Sequence, residues 1–352
     1  MKKIVLFFLS AVLLASCEGG IAKMGEGVKK VFDIKLSATG APFEVMLVCD
    51  DNIWNSSAGQ ALEQALDTPV PGLPQPEASF KVTRRSKSGF NSTAQAYRNI
   101  IIVDIDSSHS ECKFKSEMNV YADKQVVMGI CAPDKKSFGE FVYKNANVIV
   151  KYFTEKERER QIEILEGSHN KKILAIIKQM FGCEMLTPSE ITGRKVGKDF
   201  IWISDYNNPS KTDIMNFAVY SYPYTSADNF SKDNFIKQRD AFMKENIPGG
   251  VPDSYIHTDA KTVSVSAVSY NGKYMTIARG LWYMKNDDMF GGGPFVSHSI
   301  VDEKNGRVIV VEAFVSAPNK EKRGYMRKLE ASLYTLKLPV DLEEENIAKE
   351  SK

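Results

Sequence analysis

The chain lacks most of the features by which a catalytic site is recognised in a sequence. It has only four histidines among 352 residues, and no two of them have the spacing of a helical metal-binding pair. It contains no Gly-x-Ser-x-Gly segment, the nucleophile turn of the α/β-hydrolases. Basic and acidic residues nearly balance, 46 against 44, so no basic surface is predicted to neutralise nucleic-acid phosphates. The sequence therefore predicts no metal site, no cofactor and no nucleic-acid partner.

Two short segments resemble catalytic motifs but fail in detail. Gly193–Lys198 looks like a phosphate loop, yet it is one residue short, and Asp199 stands where a Mg²⁺-binding Ser or Thr is needed. Ser168–Lys171 has the S-x-x-K spacing of penicillin-binding enzymes, and Lys87–Gly89 resembles their third motif, but the two occur in reversed order. We assign no catalytic residue, while a glycosidase pair of distant carboxylates stays open.

The sequence also lacks a hydrophobic run long enough to span a membrane. The hydrophobic run near its start is short. Ile4–Ala15 has 12 residues and follows two lysines, whereas a membrane-spanning helix needs about 20 residues. This pattern is typical of a secretory signal peptide. Leu14–Cys17 then resembles the lipobox of bacterial lipoproteins, in which the cysteine is acylated and becomes the new N-terminus. We predict a lipoprotein signal peptide over residues 1–16 and lipidation of Cys17; the alternative is a cleaved signal followed by an incidental cysteine.

A lipid anchor on Cys17 would hold the mature chain on a membrane, since each buried methylene contributes about 0.8 kcal/mol. Glu18 stands where lipoproteins retained in the inner membrane usually have Asp, so the resemblance favours the outer membrane. The acidic run that marks surface export in Bacteroidota is reduced to this one residue. We therefore predict the periplasmic face of the outer membrane, with the cell surface as the alternative.

Four further cysteines are present, and an exported location permits disulfides among them. Sequence alone leaves three pairings open. Cys112 and Cys131 flank a predicted turn, so they could pair across a hairpin. Free thiols buried in strands are the alternative for Cys49 and Cys131.

We predict a tether over residues 17–40, directly after the lipid anchor, and an N-terminal α+β domain over residues 41–185. Ser137 and Glu140 form a capping-box pattern at the start of a long helix. Pro69–Pro76 contains four prolines, which predict an extended connector or docked loop. The predicted strands of this domain are Phe43–Cys49, Ser79–Arg84, Arg98–Ile105 and Lys124–Cys131.

We predict a C-terminal α+β domain over residues 199–340. Its expected architecture is an antiparallel four-stranded meander covered by a helix. Asn271-Gly272 and Asn305-Gly306 each separate two β-rich runs, and Asn-Gly is typical of two-residue type I′ hairpins. Such a second turn would place His298 opposite Ala313.

We predict one more helix and a tail at the end of the chain. Asn319 is a candidate cap for a helix over residues 320–336, which would cover the meander. Residues 341–352 predict a charged tail. The fold class is therefore α+β, with two mixed α/β subdomains.

Aromatic and glycine residues in the C-terminal domain give the only candidate binding surface. Trp282 shares a strand face with small residues, so its indole could stack on a sugar ring or a partner side chain; burial beneath a covering helix is the alternative. The following loop is rich in glycine, which permits close backbone approach or mobility. The candidate partner-binding residues are Trp282, Tyr283, Asp287, Gly291, Gly292 and Gly293.

Four segments together resemble an uncharacterised lipoprotein family of Bacteroidota, domain of unknown function 4837. They are Pro71–Glu77, Tyr97–Ile100, Arg279–Trp282 and Gly292–Ser297. The resemblance implies an exported lipoprotein and a Bacteroidota source, but no reaction. We predict a non-enzymatic binding or scaffold protein of the cell envelope that contacts an envelope protein or a cell-wall component. The alternative is a hydrolase acting on an envelope polymer such as peptidoglycan or another glycan.

Overall fold

The structure is a computed structural model that describes residues 36–207, 210–287 and 291–350. Cys17, the predicted signal peptide and almost all of the predicted tether lie outside the described residues. Within them, helices pack on two separate β-sheets, which confirms the predicted α+β class. None of the helices in these ranges is long and apolar enough to cross a membrane.

The N-terminal lobe, residues 36–167, is built on a five-stranded mixed sheet with the order β2-β1-β3-β5-β4. Four strands are parallel, and β4 lies antiparallel to β5 at one edge. Three of the six β4 side chains are Lys or Glu, and no position is buried, so its sequence lacks the apolar alternation that predicts a strand. The strands are β1 (Glu44–Val48), β2 (Lys81–Arg85), β3 (Asn99–Ile105), β4 (Lys113–Met118) and β5 (Val126–Ala132).

Two helices cover one face of this sheet and enclose the main core of the lobe. The helices of the lobe are α1 (Asp51–Trp54), α2 (Ser57–Leu66), α3 (Ser92–Gln95) and α4 (Lys135–Gly167). Leu62 of α2 and Phe153 of α4 are buried against strand residues such as Leu47. The predicted capping box at Ser137 is wrong, because α4 begins earlier and the Asp134 carboxylate accepts a 2.9 Å hydrogen bond from the Ser137 backbone N–H.

The C-terminal lobe, residues 171–350, contains a seven-stranded antiparallel sheet, so the predicted four-stranded meander is wrong in its strand number. The order is β6-β7-β8-β12-β11-β10-β9. The four predicted strands β9 to β12 are consecutive neighbours, but β8 pairs with β12 and adds three strands. The strands are β6 (Gly193–Gly197), β7 (Phe200–Ser204), β8 (Ile214–Pro223), β9 (Tyr255–Tyr270), β10 (Lys273–Lys285), β11 (Gly292–Asp302) and β12 (Arg307–Ser316).

The two Asn-Gly turns differ in geometry. Asn271 and Gly272 both have positive φ, 50° and 77°, as a type I′ turn requires. Asn305 instead ends a short 3-10 turn, and only Gly306 has a positive φ, so four residues connect β11 to β12. His298 therefore pairs with Val311, and the predicted partner Ala313 is wrong.

Helices cover both faces of the seven-stranded sheet, whereas a single covering helix was predicted. They are α5 (Lys171–Phe181), α6 (Lys232–Asn246), α7 (Arg323–Leu333) and α8 (Pro339–Glu350). Side chains of α5 and α7 share one core cluster, and α6 packs on the opposite face. Helix α5 ends at Gly182, which adopts a left-handed φ of 65° that glycine favours.

The proline-rich segment is a docked loop that joins the two lobes. Glu77 lies at its end, and the carboxylate accepts hydrogen bonds from the backbone N–H groups of Lys322 and Arg323, at 2.7 and 2.8 Å. These N–H groups are the unpaired donors at the start of α7. The predicted cap Asn319 is therefore wrong: a residue of the other lobe caps this helix.

Glu77→Ala should lower the free energy of unfolding by about 1–2 kcal/mol, because it removes a charged cap from α7. Urea denaturation followed by circular dichroism measures this change. Glu321→Ala is the matched control, since Glu321 stands beside the same helix start with its side chain 81% exposed. Equal stabilities of the two variants would contradict the capping role.

Candidate functional site

Five of the six predicted partner-binding residues line one depression at the end of the seven-stranded sheet. We call it the edge groove, and its volume is about 650 Å³. Trp282, Tyr283 and Gly291–Gly293 form one side. Pro74 and Gln75 of the proline loop and the segment 316–319 after β12 form the others. The groove is therefore built from both lobes.

Trp282 and Tyr283 have opposite orientations, because successive side chains of a strand point to opposite faces. The Trp282 side chain is only 5% exposed and packs edge-on against Phe314, with 5.7 Å between ring centroids. Its indole Nε1 is buried and has no hydrogen-bond partner among the described residues. Tyr283 is 41% exposed and lies 5.4 Å from the His257 ring.

The glycines of the groove are required by close backbone contacts. A Cβ atom on Gly292 would lie 2.4 Å from the Trp282 carbonyl oxygen, and one on Gly293 would lie 1.9 Å from the Val315 carbonyl oxygen. Gly291 has a φ of 66°. Asp287 is half-buried in the loop after β10, and residues 288–290 of that loop lie outside the described residues.

Two tyrosines of β8 face a covering helix. Tyr220 is fully buried, and its ring lies 4.7 Å from that of Phe242 on α6. Tyr222 is buried on the same face, where burial raises the pKa of its hydroxyl to about 12. These tyrosines contribute to the core.

A second cavity of about 420 Å³ lies between the lobes, and we call it the interlobe cleft. One wall is formed by α4 and by residues 68–71 of the N-terminal lobe. The opposite wall is formed by β9, β10 and α7 of the C-terminal lobe. Sequence reasoning did not identify this site, because its charged residues are scattered from Lys151 to Glu330 and meet only in the folded chain.

A charged pair forms the C-terminal wall of the cleft. Arg279 donates two hydrogen bonds to the Glu330 carboxylate, at 3.1 and 2.5 Å. Burial opposes ionisation of Glu330, but the Arg279 charge and these hydrogen bonds hold the pKa of the carboxyl well below its usual range. The Nε2 atom of His298 lies 3.8 Å from the same carboxylate, too far for a direct hydrogen bond. Glu330 is therefore ionised and neutralised within the wall.

His298 is fully buried behind this pair, and neither ring nitrogen has a hydrogen-bond partner among the described residues. Burial lowers its pKa below the ordinary value. Its ring packs against Tyr334, with 4.6 Å between centroids. The folded chain therefore holds His298 neutral.

The stability of the protein should fall as the pH is lowered from about 7.5 to about 5.5, because the unfolded chain protonates His298 at its ordinary pKa, near 6.5, while the folded chain does not. Thermal melts across this range measure the effect. Glu330 also has a lowered pKa, but its contribution is lost only below about pH 4.3, outside this range. His298→Leu should melt with a weaker pH dependence; an unchanged dependence would contradict the assignment.

Within the described ranges, no group of three or more His, Cys, Asp or Glu side chains has a metal-binding arrangement. All four cysteines of these ranges are free thiols: Cys49 and Cys183 are buried, and Cys112 and Cys131 are half-buried. Burial raises the pKa of Cys183 to about 12, so its thiol stays protonated.

The fold and the two cavities define a two-lobed α+β protein with a groove and a cleft where the lobes meet. Residues 170–335 match the model of a domain of unknown function, DUF4837, and residues 38–166 match a second one, DUF8532. The predicted resemblance to the first family is thus found over the C-terminal lobe, while Pro71–Glu77 and Tyr97–Ile100 fall in the second match.

Solved structures similar to the chain are distant. The Ran-binding protein Mog1p of Saccharomyces cerevisiae is 9% identical, with a TM-score of 0.29 over 45% of this chain and 90% of its own. A protein of Bacteroides thetaiotaomicron is 14% identical, with a TM-score of 0.19 over 44% of each chain. Neither supports a functional argument. Among curated proteins, no sequence matches.

Proposed function

We propose that the chain is a cell-envelope lipoprotein of Bacteroidota that acts by binding and not by catalysis. Cys17 carries the lipid and anchors the chain to the outer membrane, on its periplasmic face. The partner is an envelope protein or a cell-wall component. The lipobox resemblance of Leu14–Cys17 supports the lipid anchor, and Glu18 after it supports the outer-membrane location.

The convergence of both lobes on the edge groove is the observation that carries the binding function. Residues nearly 250 positions apart meet there, since the groove extends from Pro74 to Lys322. Glu77, which follows the proline loop, is hydrogen-bonded to the start of α7, so the loop is held in place and the groove is preformed. A preformed surface binds with a small loss of conformational entropy.

The accessible part of the groove has the composition of a recognition surface. Tyr283 supplies an exposed ring with a hydroxyl, and tyrosine is a common binding residue because it offers large contact area with few rotatable bonds. Gly291 and Gly292 are exposed and leave backbone groups accessible beside it. Trp282 lies beneath them as a rigid support.

A photo-crosslinking experiment tests the groove. A photoreactive phenylalanine analogue at Tyr283, in cells that make the lipidated chain, should give specific adducts with an envelope protein or with cell-wall material. The same analogue at Tyr143, 82% exposed on α4 and outside the groove, is the control. Identical adducts at both positions, or adducts only at Tyr143, would overturn the assignment of the groove.

Cys17→Ser should release the chain from the membrane fraction, because lipid attachment at this residue is the proposed anchor. Fractionation of cells after a high-salt wash measures the release. Cys112→Ser is the control, because it also removes a thiol but should leave the chain in the membrane fraction. A Cys17→Ser chain that still sediments with membranes would contradict the single anchor.

A further inference from the structure

The interlobe cleft contains a buried cation with incomplete compensation. Arg327 is 9% exposed, and its guanidinium donates to the Ser79 carbonyl at 2.8 Å and to the Ser79 hydroxyl at 3.3 Å. It lies over the Phe43 ring, 4.5 Å from the centroid. Among the described residues, no carboxylate oxygen comes within ion-pair distance of it. Burial lowers the pKa of the Arg327 guanidinium to about 10, and the more distant Glu330 and Glu157 carboxylates offset this only in part. Burying a charge with incomplete compensation is costly, so this position favours an anion.

The remaining charges of the cleft do not supply that anion. Glu330 is engaged by Arg279 through two hydrogen bonds. The Glu155 carboxylate forms long ion pairs with two cations, 3.9 Å from the Lys151 Nζ and 3.7 Å from an Arg158 nitrogen. The walls thus present four cationic side chains against two carboxylates. The cleft has an excess of positive charge.

Arg158 is placed to bind an anion at the α4 wall. Its guanidinium stacks on the Tyr334 ring at 3.8 Å from the centroid. Stacking fixes the plane of the guanidinium, so that its donors are preorganised for a planar or tetrahedral anion. It is half-buried, which leaves it accessible from the cleft.

Two further features of the cleft indicate which other chemical groups a ligand should have. Thr154 lines the cleft, and its hydroxyl is buried without a hydrogen-bond partner among the described residues. The other lining groups are mostly apolar or aromatic, such as Val70, Val150 and Tyr270. A cavity of about 420 Å³ is within the usual size for a small organic molecule.

We propose that the interlobe cleft binds a small organic anion, in which a carboxylate or phosphate group faces Arg327 and Arg158 and a ring or short aliphatic part contacts the apolar wall. The anion compensates the Arg327 charge, and its apolar part covers the side chains of both lobes. This site is separate from the edge groove and does not depend on the partner-binding function.

Calorimetric titration of the detergent-purified full chain tests the proposal with three probes of similar shape: phenyl phosphate, phenylacetate and neutral phenylacetamide. At least one anion should bind and raise the melting temperature, whereas the amide should do neither. Binding of phenyl phosphate alone assigns the site to phosphate esters, and binding of phenylacetate alone assigns it to carboxylates. No binding of either anion at about 10 mM, or equal binding of the amide, would overturn the proposal.

Variants locate the binding. Arg158→Gln should weaken anion binding at least tenfold, about 1.4 kcal/mol, because it removes an accessible donor group. Arg85→Gln is the matched control, since Arg85 is exposed on β2 outside the cleft. Arg327→Met should abolish anion binding if thermal melting shows that this variant is folded. If the Arg327→Met chain does not fold, the affinity of Arg158→Gln alone tests the site. Unchanged affinity in Arg158→Gln would overturn the site.

Discussion

Glu312→Ala is expected to lower the free energy of unfolding by about 3–5 kcal/mol, because it leaves the buried Arg239 guanidinium with only the more distant Asp240 carboxylate, 3.9 Å away, as a counter-charge. The Arg239 and Glu312 side chains have no solvent exposure. The Arg239 Nη2 atom donates to Glu312 at 2.8 Å and Nε donates at 3.0 Å. Ser297 adds a 2.6 Å hydrogen bond to the same carboxylate. The pair joins α6 to β12 across the core of the C-terminal lobe.

The control for this variant is an exposed ion pair. Glu117→Ala removes the partner of Lys115 on β4, where both side chains are more than half exposed, and should leave stability almost unchanged, because solvent screens an exposed ion pair. Replacing both buried partners, as in Arg239→Met with Glu312→Met, should recover much of the loss, because neither charge is then left unpaired. Chemical denaturation measures all three. A Glu312→Ala variant as stable as Glu117→Ala would show that the pair does not hold α6 in place.

The sequence predicts those parts of the fold that depend on local interactions. Helix α5 stops at Gly182 because a glycine adopts the left-handed conformation there. The turn at Asn271-Gly272 forms because both residues accept positive φ. In each case, the residues that decide the structure are neighbours in the chain.

Parts of the fold that depend on distant residues were not predictable. Glu77 caps α7 from 245 residues away. The pairing of β8 with β12 determines that the sheet has seven strands, and alternating hydrophobicity gives no information about which strands are neighbours. The His298 register was wrong by two residues; a shift of two keeps each side chain on its own face, so the hydrophobic pattern fits both registers.

The same distinction applies to the two cavities. The edge-groove residues Trp282, Tyr283 and Gly291–Gly293 belong to one hairpin, so they could be proposed together from composition. The other sides of the groove, Pro74, Gln75 and residues 316–319, come from distant parts of the chain and could not. The cleft cations Arg158, Arg279 and Arg327 occur on three separate elements. The same-face neighbours of Arg327 on its helix include Arg323 and Glu330, so the helix pattern gives no signal that this side chain is buried and no location for the partner wall.

Trp282→Ala should lower the free energy of unfolding by about 3–5 kcal/mol, because it removes a large side chain from the core. Trp282 is 5% exposed and packs with Phe314, Phe295 and Ala278 in the cluster beneath α6. The truncated side chain leaves a cavity that the surrounding strands cannot fill, since the backbone contacts of Gly293 fix their spacing. Thermal and chemical denaturation measure the loss.

Tyr283→Ala separates the structural role of Trp282 from the binding role of the groove. The Tyr283 side chain is 41% exposed, so its truncation should change stability by no more than about 1 kcal/mol. If the groove binds the envelope partner, this variant should lose partner capture while it remains folded. Trp282→Phe is the complementary variant, because it keeps an aromatic core and should retain most stability and capture. A strongly destabilised Tyr283→Ala, or a Trp282→Ala chain that melts like the wild type, would reverse the roles assigned to these two neighbours.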